Sequence, residues 1–97
     1  MAFVLPYDDG SNGVTHFGNR LNHKPAGSLG SVSVNASGHF EVGGERIRFW
    51  GVNITGSSVF PEHTDAEKIA ARLAKFGVNV VRFHHMEHNW GSPSLID

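Results

Sequence analysis

The stretch Gly77-Val78-Asn79-Val80-Val81-Arg82-Phe83-His84-His85-Met86 constrains the fold more than any other. A dense run of Val and Phe, opened by a glycine and closed by polar residues, predicts a β-strand. Thr64 to Phe76 before it has the pattern of a helix, and Arg46 to Ile54 before that is another apolar strand. Strand, helix and strand in this order predict a βαβ unit with its two strands parallel in one sheet. In parallel α/β sheets, chemistry gathers at the carboxyl ends of the strands. Those ends carry Asn53 on the first strand and Arg82, His84 and His85 on the second, which makes these four the candidate binding residues.

The helix has its own signals. Thr64 followed by Glu67 fits a capping box, in which the hydroxyl accepts from a backbone N–H and the Glu side chain reaches back. Ile69, Leu73 and Phe76 recur at four and three, with Ala66 and Ala70 filling the same face. Lys68, Arg72 and Lys75 are expected to form a solvated stripe that also suits the negative end of the helix dipole. Gly77 stands where a left-handed cap is expected. In the strand that follows, alternation sends Val80, Arg82 and His84 to one face and Val81, Phe83 and His85 to the other. Val81 and Phe83 suit packing against the helix layer. Arg82 is a permanent cation inside a strand, and if buried it needs carboxylate or carbonyl partners. Glu62 and Glu87 are the nearest acidic residues in sequence, and a partner outside this chain is an equal expectation.

The remainder divides in two. Residues 1–30 are an irregular lead-in, rich between 7 and 30 in Asp, Asn, Gly, Ser and Pro, with turn dipeptides at Asp9-Gly10 and Asn12-Gly13 and scattered apolar residues such as Val14, Phe17 and Leu21. So long a segment without period is expected to wrap over a larger body. Residues 31–97 hold the structured part. Val32 and Val34 alternate with polar neighbours, Ala36-Ser37-Gly38 turns, Phe40 and Val42 alternate again, and Gly43-Gly44 is a two-residue hairpin dipeptide. The last strand of this meander is expected to run on into Val52-Asn53-Ile54. Asn35 and Asn53 head N-x-[ST] triplets, which arise easily by chance, and no glycan is expected.

Composition excludes several classes. A net charge of -1 lacks the clustered Lys and Arg of a nucleic-acid footprint. The absence of cysteine removes disulfide frameworks and thiolate metal sites. Met1-Ala2-Phe3-Val4-Leu5-Pro6 lacks the basic start and apolar core of a signal peptide, and no apolar run reaches the length of a membrane span, so a soluble chain is expected.

Three stretches together carry a family resemblance: Gly44-Glu45-Arg46-Ile47-Arg48-Phe49-Trp50-Gly51-Val52-Asn53-Ile54, then Phe60-Pro61-Glu62-His63, then Ala71 to Met86 with its Gly77-Val78-Asn79-Val80-Val81-Arg82. In this order and spacing they resemble the start of a clan A glycoside hydrolase, closest to the cellulase and β-mannanase-like enzymes of glycoside hydrolase family five and their bacterial relatives. Asn22-His23-Lys24-Pro25-Ala26-Gly27 is similar to the lead-in of the same group. The resemblance implies a bottom-closing hairpin and the first βαβ portion of a (β/α)8 barrel, an incomplete α/β fold, since such a barrel takes about 250 residues. It implies a retaining hydrolase of β-linked oligo- or polysaccharides, whose two Glu carboxyls stand about 5 Å apart. Neither is found in this chain, so no catalytic residue, cofactor or metal is expected here, and the chain alone is expected to be inactive. What carries over is Arg82, which in the family lies beside the nucleophile and holds it ionised. Asn53, His84 and His85 on the same rim would contact sugar hydroxyls, and the partners expected are an oligo- or polysaccharide and the rest of the barrel.

Two other readings compete. His84-His85-Met86-Glu87-His88 satisfies H-x-x-E-H, a zinc-peptidase pattern that would use His84, Glu87 and His88. That chemistry needs both histidines on one helix face, whereas here the first is expected to end a strand and Asn89 to Pro93 leave hardly one helical turn. A non-catalytic carbohydrate-binding or accessory module, built on the meander with Trp50 and Trp90 exposed, is the third reading; Trp90 in that role would stack on a sugar face.

Overall fold

The computed structural model describes Asp9, residues 11–18 and residues 24–96. Leu21, the Asn22-His23 part of the lead-in resemblance, Gly10 of the first turn dipeptide and the Met1 to Pro6 start lie outside the described residues. The described chain is mixed α/β, with two small sheets and one α-helix. Among the described residues, no helix is long and apolar enough to cross a membrane.

The first sheet is an antiparallel meander of β1 (Ser33–Val34), β2 (Phe40–Val42) and β3 (Glu45–Arg46). Its two turns are written in the sequence. Asn35 accepts at Oδ1 from the Ser37 and His39 amides, closing the turn between β1 and β2 and giving this asparagine a structural task. Gly43 and Gly44 both have positive φ, 59° and 81°, as the two-residue turn from Val42 to Glu45 requires.

The second sheet pairs β4 (Gly51–Thr55) with β5 (Val80–His84) in parallel, joined through a 3-10 turn (Gly56–Val59) and helix α1 (His63–Lys75). This is the expected strand–helix–strand order. The expected single strand from Arg46 through Ile54, however, is broken: Glu45–Arg46 belongs to one sheet and Gly51–Thr55 to the other. Asn79 explains the break. Its side-chain amide accepts from the Trp50 N–H at 2.7 Å and donates to the Arg48 carbonyl at 2.8 Å, and its own N–H donates to the Trp50 carbonyl at 3.0 Å. A side chain thus satisfies the backbone groups at 48 and 50 that a continuing ladder to the meander would have used. The chain leaves the first sheet and enters the second on Asn79.

Helix α1 begins one residue before the expected start. Glu62 is its N-cap, with extended backbone and no side-chain capping bond, and its carbonyl accepts from the Asp65 and Ala66 amides. Thr64 therefore lies inside the first turn and the capping box is not formed. The carboxyl end follows expectation: Gly77 has φ 79°, its N–H donates to the Ala74 carbonyl, and the Val78 N–H donates to the Leu73 carbonyl. These are the two bonds of a Schellman motif.

Lys75 departs from the solvated stripe. Its side chain is buried at 1% exposure, and its Nζ donates to Asp9 Oδ2 at 2.9 Å and to the Asp9 carbonyl at 3.1 Å. The Phe17 N–H donates to the Lys75 carbonyl at 2.6 Å. Asp9 and Phe17 meet the end of the helix, and the Asp9 contact removes Lys75 from water. The Lys75 ammonium and the Ser11 contacts hold the Asp9 carboxyl well below the usual carboxylate range.

Apolar burial is thin. Ile69, Leu73 and Phe76 on α1 and Val52, Ile54 and Val81 on the sheet are half-buried, and Val78 alone among the described apolar residues is buried. Phe83, expected against the helix layer, is 58% exposed, and Val80 on the opposite face is 41% exposed. With a helix and two strands, neither sheet face is fully covered, and Phe83 at the edge finds no layer to enter.

Candidate functional site

The parallel register places the expected residues at one end of one sheet. Asn53 stands directly opposite Arg82 and Thr55 directly opposite His84. Gly51, Val52, Asn53, Val80 and Arg82 line a shallow, solvent-open depression. Gly51 is essential to this pairing, because a Cβ there would lie 2.6 Å from Val80 Cγ1. Arg82 is exposed, not buried, and among the described residues neither Glu62, Glu87 nor any other carboxylate lies within ion-pair distance of it. Its charge faces solvent on the side that Asn53 shares.

Beyond the strand ends, the structure assembles a cluster that alternation does not foresee. Alternation separates His84 from His85, but the strand stops at His84, and His85 takes a left-handed backbone with φ 54°. The chain turns there, and the two imidazoles meet with centroids 3.6 Å apart. A non-glycine residue in this region is uncommon and costs energy, so it persists only where its surroundings hold it. Those surroundings are named: Thr55 Oγ1 is 3.1 Å from His85 Nδ1, and the Trp90 ring meets His85 edge-on at 5.3 Å. Burial, the neighbouring His85 and the Arg82 guanidinium push the His84 pKa below the ordinary histidine value, against a smaller opposing effect of Glu87. These effects favour the neutral imidazole at His84.

His88 completes the cluster. It is 3% exposed, its ring stacks on Trp90 at 4.7 Å and 26°, and among the described residues neither ring nitrogen has a hydrogen-bond partner. Gly56 and Gly91 flank it, a Cβ at either being in ordinary van der Waals contact with the imidazole at 3.6 Å. Gly56 has φ 58° immediately after β4, a left-handed conformation that favours glycine there. The Leu95 N–H donates to the Met86 carbonyl at 2.9 Å and closes the loop that carries His88 and Trp90.

Of the residues singled out from sequence, the structure pairs Asn53 with Arg82 and brings His84 against His85; Thr55 and Gly56, beside them, were not singled out. A hydroxyl and a glycine at a strand's carboxyl end were the available signal. The H-x-x-E-H residues lie on a strand end, a left-handed residue and turns, not on a helix, so the two histidines do not share a helix face. Among the described residues, no group of three or more His, Asp or Glu side chains is arranged to hold a metal ion.

No protein-family model, curated protein or solved structure matches the chain.

Proposed function

We propose that this chain supplies the first strand–helix–strand portion of a (β/α)8-barrel glycoside hydrolase acting on β-linked oligo- or polysaccharides by the retaining mechanism. The observation that carries the reading is the parallel register that sets Asn53 opposite Arg82 on an uncovered sheet face. In a barrel that face is the interior, where a guanidinium without a carboxylate of its own is suited to hold a catalytic carboxylate ionised. The two Glu carboxyls of the mechanism come from elements outside this chain, and the remaining strands would cover Val80 and the open edges. Asn53, His84 and His85 would meet sugar hydroxyls, the lowered pKa of His84 favouring the neutral imidazole that can both donate and accept.

The test compares residues 1–97 with the longest reading frame that contains them, on β-linked aryl glycosides and on β-glucan and mannan polymers. Turnover confined to the longer form, and reduced about 100-fold or more by Arg82→Ala, is the expected result. Turnover by residues 1–97 alone, or none by either form, would overturn the reading.

A further inference from the structure

We propose that loop 86–95 is a pH-operated cover at the carboxyl end of the β4–β5 pair, seated while His84 and His88 are neutral imidazoles and released when they take up protons. Nothing in this depends on the hydrolase reading.

The loop is held by its histidines. The Leu95 N–H donates to the Met86 carbonyl at 2.9 Å and closes it. His88 is the anchor: it is buried, flanked by Gly56 and Gly91 and stacked on Trp90. Where the chain enters the loop, His85 has φ 54°, its Nδ1 is 3.1 Å from Thr55 Oγ1, and its ring meets that of His84 with centroids 3.6 Å apart.

This arrangement suits neutral rings and opposes charged ones. Among the described residues neither ring nitrogen of His88 has a hydrogen-bond partner. As an imidazolium it would hold two charged N–H donors in a buried place without an acceptor, a desolvation cost far above that of the neutral ring. The Trp90 face attracts a cation but gives neither N–H an acceptor. An imidazolium at His84 would lie against the His85 ring and in the field of Arg82, with Glu87 in opposition. Thr55 serves His85 in either protonation state, since a hydroxyl can donate or accept, so His84 and His88 carry the difference. β4 and the 3-10 turn bring Thr55 and Ser57 to the cluster, neither of them charged. Among the described residues no charged group of α1 acts on His84.

When the loop lifts, water supplies the missing acceptors and the rings separate. The open form therefore binds more protons than the seated one. By linkage, the preference for the seated form is complete above the ordinary histidine range and falls as pH drops through it. Each proton taken up changes the equilibrium by about tenfold per pH unit.

The test follows amide hydrogen exchange of residues 1–97 from pH 7.5 to pH 5.5, expressed as protection over the intrinsic rate at each pH. Protection of the Leu95 amide is expected to fall about tenfold or more. The Val78 amide, bonded to the Leu73 carbonyl, and the β4–β5 ladder are expected to keep theirs. Combining His84→Gln with His88→Phe keeps a polar group at one position and a flat ring against Trp90 at the other, and neither titrates. The fall at Leu95 should then shrink to within about twofold. Each single variant should remove part of it, and the reading stands or falls on these if the double variant does not fold. No fall at Leu95 in the native chain overturns the proposal. So does a fall shared by Val78 and the ladder, which is global unfolding, or one that the variants leave undiminished.

Discussion

Replacing Gly51 by alanine tests the register on which the site depends. A Cβ at position 51 would lie 2.6 Å from Val80 Cγ1 and 3.3 Å from the Val80 carbonyl oxygen. Carbon–carbon contacts are optimal near 3.5–4.0 Å, so roughly 1 Å must be found, by turning a β-branched side chain off its preferred rotamer or by separating the strands. Overpacking of this kind costs about 1–3 kcal/mol, and the lower unfolded-state entropy of alanine returns about 0.4–1 kcal/mol. The net expectation is a loss of about 1–2 kcal/mol in the β4–β5 pair. Val80→Ala removes Cγ1 and leaves the 3.3 Å carbonyl contact and an ordinary 3.9 Å contact to Cβ, so the double variant should regain about 1 kcal/mol relative to additivity. Amide hydrogen exchange along the β4–β5 ladder reads the local opening free energy directly. A neutral Gly51→Ala, or a double variant that is simply additive, would refute the Gly51–Val80 pairing and with it the placement of Asn53 opposite Arg82.

Asn79→Ala removes both side-chain hydrogen bonds to the 48–50 backbone and should lower protection of the Trp50 amide by about 1–2 kcal/mol, whereas Asn79→Asp keeps the acceptor for that amide and should lose less; equal protection in all three forms would show that the clamp contributes nothing. For His84, the folded pKa lies below the ordinary value, so the unfolded chain binds the proton first as pH falls. Its contribution to stability is therefore undiminished above about pH 6.5 and declines below it until the folded form also protonates. Imidazole NMR should place its midpoint below that of a free histidine and move it upward in Arg82→Gln; an unshifted midpoint in both proteins would discard the assignment.

The local code of this chain is legible in its residues. Gly43-Gly44, Gly77 and the Ile69, Leu73, Phe76 spacing each satisfy a backbone or packing requirement that few other residues meet, so the hairpin, the helix end and the helix itself could be placed from sequence. The parallel pair followed from their order, and with it Asn53 and Arg82 as neighbours. Tertiary structure decided what depends on distant partners. Asn79 broke the long strand by bonding residues 29 and 31 positions earlier, which no local pattern encodes. Asp9 took Lys75 out of water from 66 residues away. The left-handed turn at His85 set two imidazoles side by side that alternation would separate, because a single backbone angle at a strand end outweighs the period that precedes it. Sequence determined which elements form and in what order; only the folded chain decided which polar side chains meet, because those meetings are made by hydrogen bonds and ring contacts between segments whose separation along the chain carries no signal of their separation in space.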